Sequence, residues 1–303
     1  MINFTHNNHL VYSIGARAYG YRNNGMEKFN VSLGGVDKDY YRRSNYANEL
    51  RRTADLVYKD LGKDLIVFLS GGTDSEIVLR NFLDIGIKPK CAVIKFKDDY
   101  NAPDVAEAIA IARELSVDLE ILDFDVKEFF RSGEATELGE SIQCSQITYI
   151  TVYKNILRMG QPAIMGGEAL LTRGVGNVSE WYYTFRENED GSAIRFSNIY
   201  NIPLVNEWFS YTPELLLYYL EDDEIQKLIS EKYNYKLSSV STKNAVLRRL
   251  YPNIRPKIKT HGFERLLAFN FETYRAIGRN QIKRLESSID GIPLSRAITM
   301  LRG

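Results

Sequence analysis

Residues 70–75, which read Ser-Gly-Gly-Thr-Asp-Ser, combine side chains and backbone groups that suit phosphate. Gly71 and Gly72 allow backbone N–H groups to approach an anion without interference from a Cβ, and the neighbouring hydroxyl groups are donors. An amphipathic segment follows, so the loop leads into a predicted helix whose N-terminus attracts negative charge. The pattern favours a phosphate-binding loop over the alternative, a tight glycine-rich turn. No lysine follows Gly72, which excludes the Gly-x-x-x-x-Gly-Lys-Ser/Thr type of phosphate loop.

The segments around this loop alternate between strand and helix patterns. Residues 65–69 are all apolar, which is typical of a strand buried on both faces, and residues 74–83 have helical apolar spacing. Further strands are predicted at 91–96, 119–122 and 163–165, and further helices at 103–115 and 146–159. This alternation predicts an α/β fold, a parallel twisted sheet with helices on both faces. Since such sheets bind ligands at the carboxyl ends of their strands, residues 70–75, 95–97 and 166–168 should line one crevice.

The two ends of the chain differ from this central pattern. Asn24-Gly25 is a favoured hairpin turn, so residues 1–43 are predicted to form a small β appendage. Residues 44–61 have the apolar spacing of an amphipathic helix, and the chain from residue 213 onward is predicted to be mainly helical. We therefore expect one main domain over residues 44–303.

The amino-acid composition is typical of a globular protein and excludes several other classes. The 303 residues include 44% hydrophobic residues, enough for a large core, with no apolar run long enough to span a bilayer and no signal peptide pattern. Cys91 and Cys144 are the only cysteines, which suits a reducing cytoplasm and excludes a cysteine-based zinc site. The 39 basic and 39 acidic residues balance, yet residues 243–284 hold eleven basic residues against two acidic ones. That segment is either a solvated basic face or a wall that faces phosphate.

Three stretches make the chain similar to a known superfamily. Residues 68–75, Phe-Leu-Ser-Gly-Gly-Thr-Asp-Ser, resemble the PP-loop of the N-type ATP pyrophosphatases, and most of all the Phe-Leu-Ser-Gly-Gly-Leu-Asp-Ser of asparagine synthetase synthetase domains. Residues 164–169, Ile-Met-Gly-Gly-Glu-Ala, resemble the family's Leu-Ser-Gly-Asp-Gly-Ala-Asp-Glu. Residues 250–263 resemble its Leu-Pro, Arg-x-Lys and Gly-Phe segment. The resemblance covers roughly residues 45–265 and implies an adenine nucleotide alpha hydrolase-like fold.

The resemblance implies roles for particular residues. ATP would be bound by Leu69, Ser70, Gly71, Gly72, Thr73, Asp74, Ser75, Val93, Ile94, Lys95, Gly166, Gly167 and Arg255. Catalytic roles would fall to Asp74, which would also hold Mg²⁺, to Glu168 as general base, and to Lys257 or Lys259.

The chain also departs from the family pattern. Leu170 and Leu171 stand where the family has an acidic pair, and three extra residues separate Lys257 from Gly262-Phe263. Only 69 residues precede Ser70 and Ile2 follows Met1, so we expect no glutamine-hydrolysing domain.

These observations predict an enzyme that uses ATP and Mg²⁺ and forms AMP and pyrophosphate. It would adenylate an oxygen of a small-molecule acceptor, and a nitrogen or sulfur nucleophile would displace AMP, with ammonia free or supplied by a partner. One alternative is an RNA-modifying enzyme, in which the basic segment binds the phosphate backbone and Cys91 approaches Cys144 across the crevice. Another is a non-catalytic nucleotide-binding protein. Nucleic acid is a possible but not favoured partner, and no membrane association is expected.

Overall fold

The computed structural model describes residues 10–13, 30–144, 146–167, 171–173, 181–186, 190–230, 239–254, 262, 263, 265, 266 and 289–303. Its largest sheet has five parallel strands: β3 (Ile66–Phe68), β4 (Lys90–Phe96), β5 (Leu119–Phe124), β6 (Ala163–Ile164) and β9 (Leu204–Val205). They lie in the order β5-β4-β3-β6-β9, with every neighbouring pair parallel. The predicted α/β fold is therefore confirmed, and β3, which precedes the glycine-rich loop, is the central strand.

Helices connect the strands and cover both faces of this sheet. Those before residue 147 are α1 (Lys38–Arg43), α2 (Tyr46–Leu61), α3 (Thr73–Asp84), α4 (Ala102–Glu114), α5 (Val126–Arg131) and α6 (Glu134–Ile142). Those after it are α7 (Ile147–Met159), α8 (Asp190–Tyr200), α9 (Pro213–Leu220), α10 (Asp223–Ser230), α11 (Ser239–Leu250) and α12 (Leu294–Arg302). The predicted helices at 44–61, 74–83, 103–115 and 146–159 correspond to α2, α3, α4 and α7.

Alternation of side chains along β3 divides the core into two apolar layers. Leu65, Val67 and Leu69 belong to a first apolar layer, to which α2, α3, α4 and α9 contribute buried side chains. Ile66 and Phe68 belong to a second apolar layer, covered by α5, α6, α7 and α8. Because successive side chains of a strand point to opposite faces, an uninterrupted apolar run is the sequence that a strand buried on both faces requires.

Two smaller antiparallel sheets accompany the main sheet. Strand β1 (Leu10–Ser13) pairs with β2 (Asn30–Leu33), and after β2 the Val36 N–H donates to the Leu301 carbonyl of α12 at 2.8 Å. The turn predicted at Asn24-Gly25 lies outside the described residues, and the division of the chain at residue 43 stays a prediction. The second small sheet has the order β10-β8-β7, formed by β7 (Leu171–Arg173), β8 (Trp181–Arg186) and β10 (Ile289–Pro293).

The C-terminal third agrees with the prediction in part. The segments that form α9 to α12 are helical, as expected. Residues 289–293 instead form the strand β10, because they pair with the aromatic-rich β8, more than one hundred residues earlier in the chain. In the described part of the chain, no helix combines the length and the apolar composition that a membrane span requires.

Candidate functional site

The glycine-rich loop forms a tight connection between β3 and α3. The Ser75 hydroxyl lies 3.1 Å from the Gly72 carbonyl, to which it donates, and accepts from the Ser70 N–H at 3.1 Å. Gly71 has a φ of +70°, a conformation that residues with a Cβ rarely adopt, and Gly72 is the N-cap of α3. Internal hydrogen bonds therefore hold the loop in shape, and they place it directly at the positive end of a twelve-residue helix.

Glycines within the loop and after β6 allow neighbouring backbone segments to pack closely against each other. A Cβ on Gly71 would lie 2.5 Å from the Asp104 carbonyl oxygen of α4, and one on Gly166 would lie 2.7 Å from the Ser75 nitrogen. A Cβ on Gly167 would overlap the Asn206 carbonyl oxygen, at 1.3 Å. The loops after β3, β6 and β9 thus meet backbone to backbone, which explains the glycine pairs in the first two motifs.

Asp74, in the first turn of α3, forms an ion pair with a buried lysine, and its own side chain is half-buried. Its Oδ2 lies 2.9 Å from Nζ of Lys243 on α11, and the Lys243 side chain is only 6% exposed. The other carboxylate oxygen, Oδ1, is buried and has no hydrogen-bond partner in the described part of the chain. A buried anionic oxygen without a donor is costly, so this atom is suited to a ligand cation.

A cavity of roughly 380 Å³ opens at the carboxyl ends of the strands, beside the loop. Residues from β3, β4, β6 and the N-terminal half of α7 surround it. Its lining consists of Phe68, Leu69, Ser70, Asp74, Val93, Ile94, Phe96, Asn101, Asp104, Gln146, Thr148, Tyr149, Thr151, Val152, Met165, Gly166, Gly167 and Phe263. The lining combines aromatic and aliphatic side chains with polar ones, a combination typical of small-molecule sites. The polar lining residues are Ser70, Asp74, Asn101, Asp104, Gln146, Thr148 and Thr151.

The predicted site residues other than Lys95 fall into three groups. Those that line the cavity are Leu69, Ser70, Asp74, Val93, Ile94, Gly166 and Gly167. Those that build the loop behind it are Gly71, Gly72, Thr73 and Ser75. Those outside the described residues are Glu168, Arg255, Lys257 and Lys259, whose roles stay predictions.

Lys95 lies outside the cavity lining, although its neighbours Ile94 and Phe96 belong to it. Its Nζ is 3.4 Å from Asp99 Oδ1, and its side chain is 40% exposed. Val93, on the same face of β4 as Lys95, does line the cavity, so alternation along the strand does not account for the difference. A role of Lys95 in nucleotide binding stays a prediction.

Several residues at the candidate site were not predicted from the sequence. Lys243 was only one of the eleven basic residues in the segment 243–284, and its pairing with Asp74 has no signal in local spacing. Asn101 and the first turns of α7 also contribute to the cavity. Phe263 lines it as well, so the Gly-Phe part of the third motif lies at the site.

The two cysteines are both buried and separated by the sheet. Cys91 belongs to the first apolar layer and Cys144 to the second. Burial, with a smaller contribution from Asp118, raises the pKa of the Cys91 thiol to about 12. The hypothesis that these cysteines approach each other across the crevice is therefore wrong, and a thiolation mechanism that uses them loses its basis.

No protein-family model matches the chain, and no curated protein sequence matches it. Solved structures with a similar arrangement include an NMN synthetase from Francisella tularensis, with a TM-score of 0.33, 10% identity and coverage of 76% of this chain and 93% of that one. A predicted subunit of tRNA methyltransferase from Methanocaldococcus jannaschii has a TM-score of 0.33 and 18% identity, over 65% of this chain and 94% of that one.

An NH₃-dependent NAD synthetase from Campylobacter jejuni has a TM-score of 0.32 and 14% identity, over 73% of this chain and 99% of that one. Similarities of this degree do not assign a function.

Proposed function

We propose that the chain is an ATP-dependent enzyme that forms AMP and pyrophosphate while it activates an acceptor oxygen. The triphosphate would lie against the loop at residues 70–75, and the base in the apolar part of the cavity. The observation that carries the proposal is the position of Asp74: the residue lines the same cavity as the loop, and its carboxylate keeps one oxygen, Oδ1, without a hydrogen-bond partner in the described part of the chain.

The loop would bind phosphate through three kinds of group. Backbone N–H groups at the start of α3 have no partner within the helix, and the helix adds its partial positive charge. The Ser70 hydroxyl, which lies at the cavity, supplies a further donor. Because the Ser75 hydroxyl bonds to the backbone of Ser70 and of Gly72, these groups are held in place before a ligand arrives.

Mg²⁺ suits the donor set at Asp74. In the described part of the chain there is no cluster of three or more His, Cys, Asp or Glu side chains that could hold a metal ion. Magnesium in nucleotide sites is commonly held by one or two carboxylates together with the phosphates and water, so a single carboxylate is sufficient. When bound, the ion would neutralise charge on the phosphates, and Lys243 would hold the carboxylate in position through Oδ2.

The reaction requires charge stabilisation more than covalent chemistry from the protein. As the acceptor oxygen attacks the α-phosphate, negative charge accumulates on the departing pyrophosphate, where the loop N–H groups and one of Lys257 and Lys259 would stabilise it. Glu168, directly after the cavity residue Gly167, is the candidate general base. A nitrogen or sulfur nucleophile would then displace AMP, and the nitrogen source would be free ammonia or a partner protein.

Exchange of radiolabelled pyrophosphate into ATP tests the proposal. The purified chain, with MgATP and a panel of carboxylic acids, should catalyse exchange with at least one acid and release AMP when ammonia is added. Tight ATP binding without exchange for any acid would instead support the non-catalytic alternative. Absence of both binding and exchange would overturn the assignment of the loop as a phosphate site.

A further inference from the structure

The end of β4 presents two backbone groups at the cavity that are already hydrogen-bonded to a side chain. The Phe96 N–H donates to Oδ1 of Asn101 at 2.8 Å, and Nδ2 of Asn101 donates to the Ile94 carbonyl at 2.7 Å. All three residues line the cavity. The amide orientation follows from these partners, because only the oxygen can accept from an N–H and only the NH₂ can donate to a carbonyl.

These groups lie where strand pairing ends. Strand β3 pairs with β4 as far as Phe68 opposite Ala92, and the Leu69 N–H donates to the Ala92 carbonyl at 2.8 Å. Alternate residues of a strand direct their backbone groups to the same side, so Ile94 and Phe96 direct theirs toward the crevice beyond β3. Without Asn101, a donor and an acceptor would face the cavity side by side.

The same pair of groups would complement the edge of adenine, which offers an NH₂ donor at position 6 beside the acceptor nitrogen N1. The carboxamide of Asn101 presents the same donor and acceptor to β4. Since the Phe96 N–H has one hydrogen and donates it to Oδ1, N1 of a base has no free donor at this point.

Asn101 is fixed in this position by its surroundings. It is 7% exposed, and a Cβ on Gly262 would lie 2.5 Å from the Asn101 Cβ, so the chain at Gly262 packs directly against it. The next residue, Phe263, contacts Phe96 with ring centroids 5.2 Å apart. Although Asn101 is the N-cap residue of α4, its side chain makes no capping bond, which indicates that the amide serves β4 and not the helix.

We propose that Asn101 occupies the hydrogen-bonding groups at the end of β4, the Ile94 carbonyl and the Phe96 N–H, that adenine would otherwise use. The site would then hold purine nucleotides by apolar and aromatic contact and would not select adenine. The inference rests on the proposed function, because it requires that a nucleotide occupies the cavity. Contact with aromatic and aliphatic side chains tolerates different bases, whereas hydrogen bonds to a base edge discriminate between them. Asn101 would thus be a specificity-determining residue that keeps base selectivity low.

Calorimetric titration with ATP and ITP, in the presence of Mg²⁺, tests this inference. The base of ITP carries a carbonyl oxygen at position 6 and an N–H at position 1, so its donor and acceptor are reversed relative to adenine. The natural chain should bind ATP and ITP with similar affinity. Asn101→Ala frees both backbone groups, so the preference for ATP should rise by roughly tenfold, the effect of about one net hydrogen bond.

Two further variants make the result interpretable. Asn101→Ser, whose short side chain cannot reach both groups, should show the same gain if Asn101→Ala fails to fold. Asn81→Ala is the matched control, since Asn81 is also buried and donates to the Ile77 carbonyl at 2.8 Å but does not line the cavity. It should leave the ratio of the two affinities unchanged.

The other outcomes separate the inference from the proposed function. A natural chain that prefers ATP tenfold or more, or an Asn101 variant without gain in preference, would overturn the role of Asn101 while nucleotide binding stands. If neither nucleotide binds to any of the folded proteins, the proposed function fails and the inference fails with it.

Discussion

Two paired carboxylates on the helices that flank β3, the half-buried Asp74 and the buried Glu49, have similar chemistry but different surroundings. Asp74 on α3 pairs with Lys243, and Glu49 on α2 accepts from Arg52 at 2.9 Å and from the Thr212 hydroxyl at 2.6 Å. Each keeps one buried oxygen without a hydrogen-bond partner among the described residues. Asp74 lines the cavity at the carboxyl edge of the sheet, whereas Glu49 is enclosed between α2 and α9.

The difference shows that a buried ion pair alone does not mark a functional site. Around Glu49, Arg52 also reaches Glu214 at 3.2 Å, and this network joins α2 to the start of α9. Asp74 also keeps one oxygen without a partner among the described residues, but it belongs to the lining of a cavity large enough for a ligand. The adjoining space therefore distinguishes a candidate site from a structural network.

The sharpest test of this comparison neutralises each carboxylate in turn. Asp74→Asn keeps an oxygen that can accept from Lys243 but removes the charge that would hold Mg²⁺, so MgATP-dependent pyrophosphate release should fall by at least about 100-fold. Glu49→Gln should retain turnover close to that of the natural chain. Steady-state assays of both proteins measure the effect, and equal turnover in the two variants would remove the distinction between the regions.

Replacement of the paired cations should separate stability from activity. Lys243→Met leaves the Asp74 charge without its cation, and because the Asp74 side chain is 22% exposed we expect a loss of about 2 kcal/mol in the free energy of unfolding. Arg52→Met should cost less, because the Arg52 side chain is 36% exposed and water screens its charge. Only Lys243→Met should also reduce turnover, roughly tenfold or more, through a disordered Asp74.

Urea unfolding and pyrophosphate release, measured on the same preparations, check this expectation. Lys243→Arg is the control that restores a cation at the position. A loss of activity in Arg52→Met as large as in Lys243→Met would show that the Glu49 network supports the site after all.

The two ends of β3 allow a matched glycine comparison. Gly62, before the strand, has a φ of +83°, and a Cβ added there would meet no atom within 4 Å, whereas a Cβ on Gly71, after the strand, would meet the Asp104 carbonyl at 2.5 Å. With ψ at 179°, the Gly62 backbone lies in a region essentially restricted to glycine, so Gly62→Ala should cost about 1–3 kcal/mol for the backbone alone. Gly71→Ala should cost about 1–2 kcal/mol more and also reduce turnover. Chemical denaturation curves measure the difference, and equal costs would mean that α4 moves aside without penalty.

Much of the central fold was predictable because its signals are local. Continuous apolar runs identify β3 and β4, helical spacing identifies α2, α3 and α4, and the alternation of the two implies parallel strands. The sheet formed by β7, β8 and β10 has no such signal. Its third strand pairs with residues more than one hundred positions away, so its formation depends on tertiary contacts.

The candidate site, like the fold, was predictable only where its signals are local in the sequence. The loop at residues 70–75 follows from its own composition, but the Asp74–Lys243 pair joins residues 169 positions apart, and no spacing rule connects them. The bonds of Asn101 to Ile94 and Phe96 are closer in sequence. They were missed because an asparagine before a helix normally indicates a cap, and here its side chain bonds to the end of a strand instead.

The smallest predicted effect concerns the pH dependence of stability at Glu49. Burial is the largest influence on this carboxyl group and raises its pKa above the ordinary value of 4.5, against the opposing hydrogen bonds from Thr212 and Tyr40 and the charge of Arg52. The native state thus binds this proton more tightly than the unfolded state does. Its contribution to stability is therefore complete below about pH 4.5 and is lost as the pH rises through the raised native pKa.

Glu49→Gln, which resembles the protonated acid, should remove this loss. The amide oxygen can keep the bonds from Arg52 and Thr212, and the NH₂ group replaces an oxygen that has no donor among the described residues. The free energy of unfolding of the variant should match that of the natural chain near pH 4 and exceed it at pH 7, by about 1.4 kcal/mol for each unit by which the pKa is raised. Urea denaturation at several pH values measures this difference. A variant that is less stable than the natural chain at pH 7 would show that attraction to Arg52 outweighs the cost of burial. The charge of Glu49 would then stabilise the fold, whereas the charge of Asp74 is proposed to bind a ligand cation.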